Sequence, residues 1–224
     1  MEYLKQRTGF SNILQRNLGG QYVVVNIAKN GWNTTDEYQA ILSYPYKPKK
    51  IILSYYLNDI LGAASQLGYG SPVRVERPHN RILRFVTDHS YALNFTYWRL
   101  YRFYNKDLGE KYWEFLKDSY SNRNIWEAHE AELSRIVTYT QSQVIDLSVV
   151  VFPNLREVKA GAVLTSKVAE FFQKHNVQVL NLEPLLIDRD PMTLVVNSLD
   201  AHPNEALNRE VAELLTKAIQ AEDR

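Results

Sequence analysis

Residues 50–59 read KIILSYYLND, a run of apolar, β-branched and aromatic side chains stopped by Leu57-Asn58-Asp59. The seven residues from Lys50 to Tyr56 are too few for an ordinary helix. They are also too continuously apolar for a strand with one wet face, so the run suits a strand covered on both faces. Three more runs have the same character: YVVVNI at 22–27, LSVVVF at 147–152 and VQVLNL at 177–182. Helical patterns fall between and after them, at 36–42, 162–175 and 205–218. In the last, Leu207, Val211, Leu214, Leu215 and Ala218 recur at helical spacing and make one apolar face. Strand alternating with helix predicts a three-layer α/β fold with a mainly parallel sheet and right-handed crossovers.

Composition sets wider bounds. At 224 residues and 45% hydrophobic content the chain can bury a core without disulfide or metal. A net charge of +1 supplies no global attraction for nucleic acid, so none is expected as a partner. The absence of cysteine excludes thiol nucleophiles, thiolate zinc sites and dithiol redox motifs. His79, His89, His129 and His175 have no paired ligand spacing, and neither a metal nor a cofactor is expected. No apolar stretch reaches the roughly 18 residues of a membrane span. MEYLKQRTGF lacks the apolar core of a signal peptide, so the chain as written reads as cytoplasmic.

In parallel α/β sheets ligands sit beyond the carboxyl ends of the strands. The residues after the runs are therefore informative: Gly31 in AKNGWNTT, Asn58-Asp59, Pro153-Asn154, and Asp200-Ala201-His202 in VNSLDAHPN. A glycine N–H and an Asn amide can hold an oxyanion, and an imidazole oriented by an acid can act as general base. Taken alone, each residue has a plainer reading. Gly31 suits a turn with positive φ, Asn58-Asp59 a helix cap, and His202 a surface histidine. Pro203 and Asn204 read as the entry to a helix with Asn204 as N-cap.

Together these blocks resemble the SGNH, or GDSL-like, hydrolase superfamily. VVVNIAKNGWNTTDE is similar to its second block, ILSYYLNDI to its third and LDAHPNEALNREVAELL to its last, here with Asp-x-His where Asp-x-x-His is usual. The resemblance covers about residue 9 to the end and implies His202 as base, Asp200 as its orienting acid, and Gly31 and Asn58 as the oxyanion hole. It implies an ester hydrolase acting on an ester-bearing small molecule or acylated saccharide. An O-acetyltransferase of the same fold, or a non-catalytic carbohydrate-binding pseudoenzyme, stands as the alternative.

The nucleophile is unknown. The family's serine follows a first strand in a Gly-Asp-Ser turn, and here only MEYLKQR precedes the helix read in TGFSNILQRNLGG. Ser11 is read as part of that helix or its cap, and Ser198 lies too near His202 in sequence. The first strand is thus expected to be missing, with the chain beginning at an internal methionine. An upstream strand, its serine and a targeting segment would complete the native protein; a pseudoenzyme with a rearranged sheet is the competing reading.

The chain is expected to form one domain over residues 1–224 with a long helical insertion at about 61–142. The insertion opens with Arg74, Arg77, Arg81 and Arg84. It continues through helices carrying Tyr91, Phe95, Trp98 and Phe103 among Arg99 and Arg102. One reading packs these aromatics on each other and on the sheet. The other makes the segment a lid whose rings stack on sugars or rest at a membrane interface.

Overall fold

The structure, a computed structural model, describes residues 9–71, 78–104, 107–198 and 200–222, without the side chains of Arg102 and Phe103. Contacts divide the chain into two compact units, Met1–Leu57 with Arg135–Arg224, and Asn58–Ser134.

The first unit is built on a parallel sheet of three strands in the order β1 (Lys50–Tyr56), β2 (Asp146–Phe152), β3 (Gln178–Asn181). Lys50 stands opposite Asp146 and Tyr56 opposite Phe152, while Ser148 to Val151 pair with Gln178 to Asn181. β2 is central, and every residue from Leu147 to Phe152 is buried. That burial is why the strand reads as one apolar run: a position on either face that was polar would need a partner there. Alternation sends Val150 and Phe152 into a cluster with Ile13, Leu14 and Leu18 of α1 (Phe10–Leu18) and Leu207, Val211 and Leu215 of α10 (Glu205–Glu222). α1 and α10 pack on each other. The helix α8 (Val158–Lys174) joins β2 to β3 and packs on both through a face that includes Leu164, Val168 and Phe172. At the amino end of the sheet Lys50 binds Asp146 and Glu222, each at 2.6 Å, tying β1, β2 and α10 together.

The run YVVVNI is the one strand expectation that fails. Residues 22–27 are not part of any ladder, although Tyr22 and Val24 pack against the same core as Ile52 and Tyr56. The alternate residues Val23, Val25 and Ile27 are 86%, 52% and 44% exposed. The physical reason is the lack of a neighbour: among the described residues nothing pairs with the outer edge of β1 or with this segment. Instead the Gln15 carboxamide donates to the Tyr22 carbonyl at 2.9 Å and accepts from the Val24 N–H at 2.6 Å. A side-chain amide thereby substitutes for a single peptide group of a partner strand. Residues 1–8, which precede the helix α1, lie outside the described residues.

The segment still has a direction. The Tyr22 hydroxyl meets Lys49 Nζ at 3.5 Å, just before β1. At its other end Asn26 Nδ2 donates to Ser11 Oγ at 3.2 Å, and the adjacent Phe10 ring lies 6.2 Å from Phe152, the last residue of β2. The segment therefore runs from the amino toward the carboxyl end of the sheet. Beyond it comes α2 (Thr34–Ser43), begun by an Asn33–Asp36 capping box.

The second unit is helical. A 3-10 turn, Leu57–Ile60, leads to α3 (Leu61–Gln66), α4 (Arg81–His89), α5 (Tyr91–Tyr104), α6 (Leu108–Ser121) and α7 (Arg123–Ser142), whose residues from Arg135 on belong to the first unit. Helix periodicity made most of this legible. α4 differs, because residues read as a polar lead-in become a helix once Asn80 caps it through Ile82 N–H at 2.9 Å and Leu83 N–H at 3.1 Å. Arg74 and Arg77 lie outside the described residues. Leu116, Tyr120, Ile125, Trp126 and Leu133 are buried, and with them His129, whose Nδ1 meets Glu132 at 3.2 Å. Burial lowers the His129 pKa against the opposing pull of Glu132, and Gln66 donates to that carboxylate at 2.9 Å.

Candidate active site

The chain leaves the apolar core at Leu194 and Val195 and returns to helix at Glu205. In between it folds back on itself. Val195 bridges Pro203, the Val196 N–H reaches the His202 carbonyl at 3.0 Å, and the Asn204 N–H reaches the Leu194 carbonyl at 2.9 Å. Asn204 accepts from the Leu207 N–H at 2.9 Å and donates to the Thr193 carbonyl at 2.7 Å. It is the N-cap of α10, as its place in the sequence suggests.

Within this closed loop, Asp200 is fixed by its own N–H, which donates to Asn197 Oδ1 at 3.0 Å. Asp200 Oδ1 then accepts twice from one residue, from the His202 backbone N–H at 3.1 Å and from His202 Nδ1 at 2.5 Å. The backbone bond sets the geometry: the carboxylate bends back over a single residue and meets the ring. With the carboxylate at Nδ1, that nitrogen carries the ring proton and Nε2 is left as the acceptor. The Asp200 side chain is 25% exposed and that of His202 78% exposed. As a contact between a carboxylate and an exposed ring it contributes about 0–1 kcal/mol. Its orientation of the ring is the greater consequence.

The loop stands at the carboxyl end of the sheet. After β2, Asn154 accepts from the Arg156 N–H at 3.1 Å, and the Arg156 guanidinium donates to the Ser198 carbonyl at 2.7 Å. Leu155 and Val158 share the core with Leu194 and Val195. Arg156 is a residue that the sequence pattern did not single out, because its contact spans 42 positions.

The remaining site residues are distributed. Gly31 occupies a four-residue turn closed by the Trp32 N–H on the Lys29 carbonyl at 3.2 Å, with φ +84°. That φ, and not crowding, requires glycine there: an added Cβ would meet nothing within 4 Å. Asn58 is exposed in the turn Leu57–Ile60 and opens the other compact unit. Its carboxamide makes no hydrogen bond among the described residues, and the N-cap position of α3 belongs to Ile60, with no side-chain cap. The helix-cap alternative for Asn58 thus has no bond to support it. Ser11 sits inside α1 with Asn26 as its partner, and the Ser198 carbonyl is held by Arg156. No serine hydroxyl among the described residues bonds to His202. Asp200 and His202 are brought together.

Beside the Gly31 turn, α2 carries an electrostatic feature hidden from the sequence. Burial, with the charge of Asp36 adding to it, pushes the Glu37 carboxyl up to about 7. Glu37 Oε2 and the Thr34 hydroxyl are both buried with no hydrogen-bond partner among the described residues. A carboxyl so placed is stabilised as the neutral acid.

Among the described residues no group of three or more His, Asp or Glu side chains could hold a metal ion. No helix there is long and apolar enough to cross a membrane. No family model, curated protein or solved structure matches the chain.

Proposed function

We propose that this chain carries the base and part of the oxyanion hole of an acyl-transfer site, within an SGNH-type, flavodoxin-like hydrolase fold. The observation that carries the reading is the Asp200–His202 contact in a loop at the carboxyl end of a parallel sheet, with Nε2 left as an acceptor. His202 takes the proton of a serine hydroxyl as the serine oxygen adds to an ester carbonyl. It returns that proton to the leaving alcohol as the carbonyl re-forms. Asp200 holds the ring tautomer and stabilises the imidazolium formed between the two steps. The Gly31 N–H donates to the oxyanion of the tetrahedral intermediate. Asn58 enters as a second donor by its motif alone.

The serine is assigned to a strand that would pair with the open edge of β1, outside the described residues. That nothing among the described residues ladders with segment 22–27 or with the outer edge of β1 supports that assignment. Ester hydrolysis is the reaction when water resolves the acyl-enzyme.

The test is to extend the chain by the codons lying in frame upstream of Met1 and to assay short p-nitrophenyl esters. The reading expects an apolar run ending in Gly-Asp-Ser and hydrolysis by the extended protein, with none above background for residues 1–224. An in-frame stop directly before Met1, or hydrolysis by residues 1–224 that vanishes in Ser11→Ala, would overturn the assignment of the serine.

A further inference from the structure

α5 has apolar and aromatic residues around most of its circumference. Tyr91 and Phe95 lie on one flank and Leu93, Leu100 and Tyr104 on another, and all five are exposed. Between these flanks Tyr97, Trp98 and Tyr101 are half-buried and pack edge-on and tilted against one another. A helix apolar on this much of its surface is ordinarily covered. The cover present is α4, which packs on α5 and is pinned to it by Asn94 Nδ2 on the Thr87 carbonyl at 3.1 Å. α4 adds its own exposed apolar residues, Ile82 and Phe85, to the same hairpin.

The charge of the hairpin says what else could cover it. Residues 81–104 hold Arg81, Arg84, Arg99 and Arg102 against the single acid Asp88. No ion pair among the described residues engages Arg81, Arg84 or Arg99. Arg84 donates instead to the Pro78 carbonyl, and Arg99 lies over the Phe95 ring at 5.7 Å. Aromatic rings and arginines that are mixed on an exposed helix, with almost no acid, match the headgroup region of an anionic bilayer, where rings sit at the polar boundary and guanidinium groups meet phosphate. An acidic protein would satisfy the arginines but would leave apolar flanks on both sides of α5 to be covered as well.

We propose that the α4–α5 hairpin is a membrane-surface contact that rests on anionic lipid headgroups. The chain lies on the bilayer and does not cross it. This does not depend on His202, on Asn58 or on any ester turnover, and it is read by binding alone.

The experiment sediments residues 1–224 with phosphatidylcholine vesicles and with phosphatidylcholine–phosphatidylserine vesicles. Binding to the anionic vesicles that weakens as NaCl is raised is expected, with little binding to the neutral ones. Arg84→Glu with Arg99→Glu should weaken it by about thirty-fold or more, because each basic residue near such a surface contributes roughly five-fold. Phe85→Ser with Phe95→Ser should weaken it as well. Both pairs are exposed, so the helical circular-dichroism signal should hold; if the phenylalanine pair loses it, the arginine pair decides. Equal binding to both vesicle types, or none to either, would overturn the proposal. So would self-association without lipid that the same substitutions abolish, an outcome that assigns the hairpin to a second copy of this chain.

Discussion

LSVVVF and YVVVNI share a Val-Val-Val triplet and put it to opposite uses. The first lies in β2, buried on both faces and laddered on both edges. The second is extended too, yet it is bonded by a glutamine side chain and leaves three alternate apolar residues in water. Local preference sets an extended backbone in both; whether it becomes a strand depends on a neighbour that the segment does not contain. A ladder is a property of two segments.

The comparison can be broken most severely by charge. Val150→Asp, at the centre of β2, should cost more than ~4 kcal/mol and leave the first unit unfolded, because the carboxylate would have no partner. Val23→Asp should shift the urea midpoint by no more than ~0.5 kcal/mol equivalent. If the two substitutions cost the same, segment 22–27 is covered in solution.

The next effect is in pH. Glu37, on the helix that follows the unladdered segment, holds its proton in the fold up to about 7, whereas the unfolded chain releases it near 4.5. The folded state therefore binds more protons between those values, and stability should fall as pH rises from about 4.5 to 7, then level off. The whole fall is at most ~3 kcal/mol. Glu37→Gln should flatten that slope in urea titrations run across the range; an unchanged slope would mean the carboxyl is ionised in the fold.

Two asparagines sharpen the contrast further, one with its bonds made and one without. Asn204→Ala removes a bonded N-cap and should cost about 1 kcal/mol in thermal unfolding. Asn58→Ala removes no bond and should leave the melting temperature nearly unchanged. In a catalytically complete protein, though, it should lower turnover about a hundred-fold or more, since an oxyanion donor acts in the transition state. A destabilised but fully active Asn58→Ala protein would take Asn58 out of the site.

Three of four strands, the parallel order and the helices between residues 91 and 142 were legible because each follows from periodicity and length within a short window. The Asn204 cap was legible for the same reason. The fate of residues 22–27 was not, since it turns on a bare sheet edge. Nor was the raised pKa of the Glu37 carboxyl, which depends on burial, or Arg156, which reaches a carbonyl 42 positions away. Within the candidate site the Asp200–His202 contact could be read because a single residue separates acid from imidazole. Gly31 shows the limit: its φ of +84° explains the glycine without any ligand, so sequence and backbone alone leave its N–H a proposal.

The central claim is that Asp200 presents His202 as a general base. Turnover of a short p-nitrophenyl ester by the upstream-extended protein tests it, measured with His202→Ala and Asp200→Ala on preparations whose melting temperatures are recorded in parallel. The account predicts a loss of about a thousand-fold or more for His202→Ala and a large loss for Asp200→Ala, with melting temperatures close to the parent. Variants that fold and hydrolyse the ester as fast as the parent would contradict it.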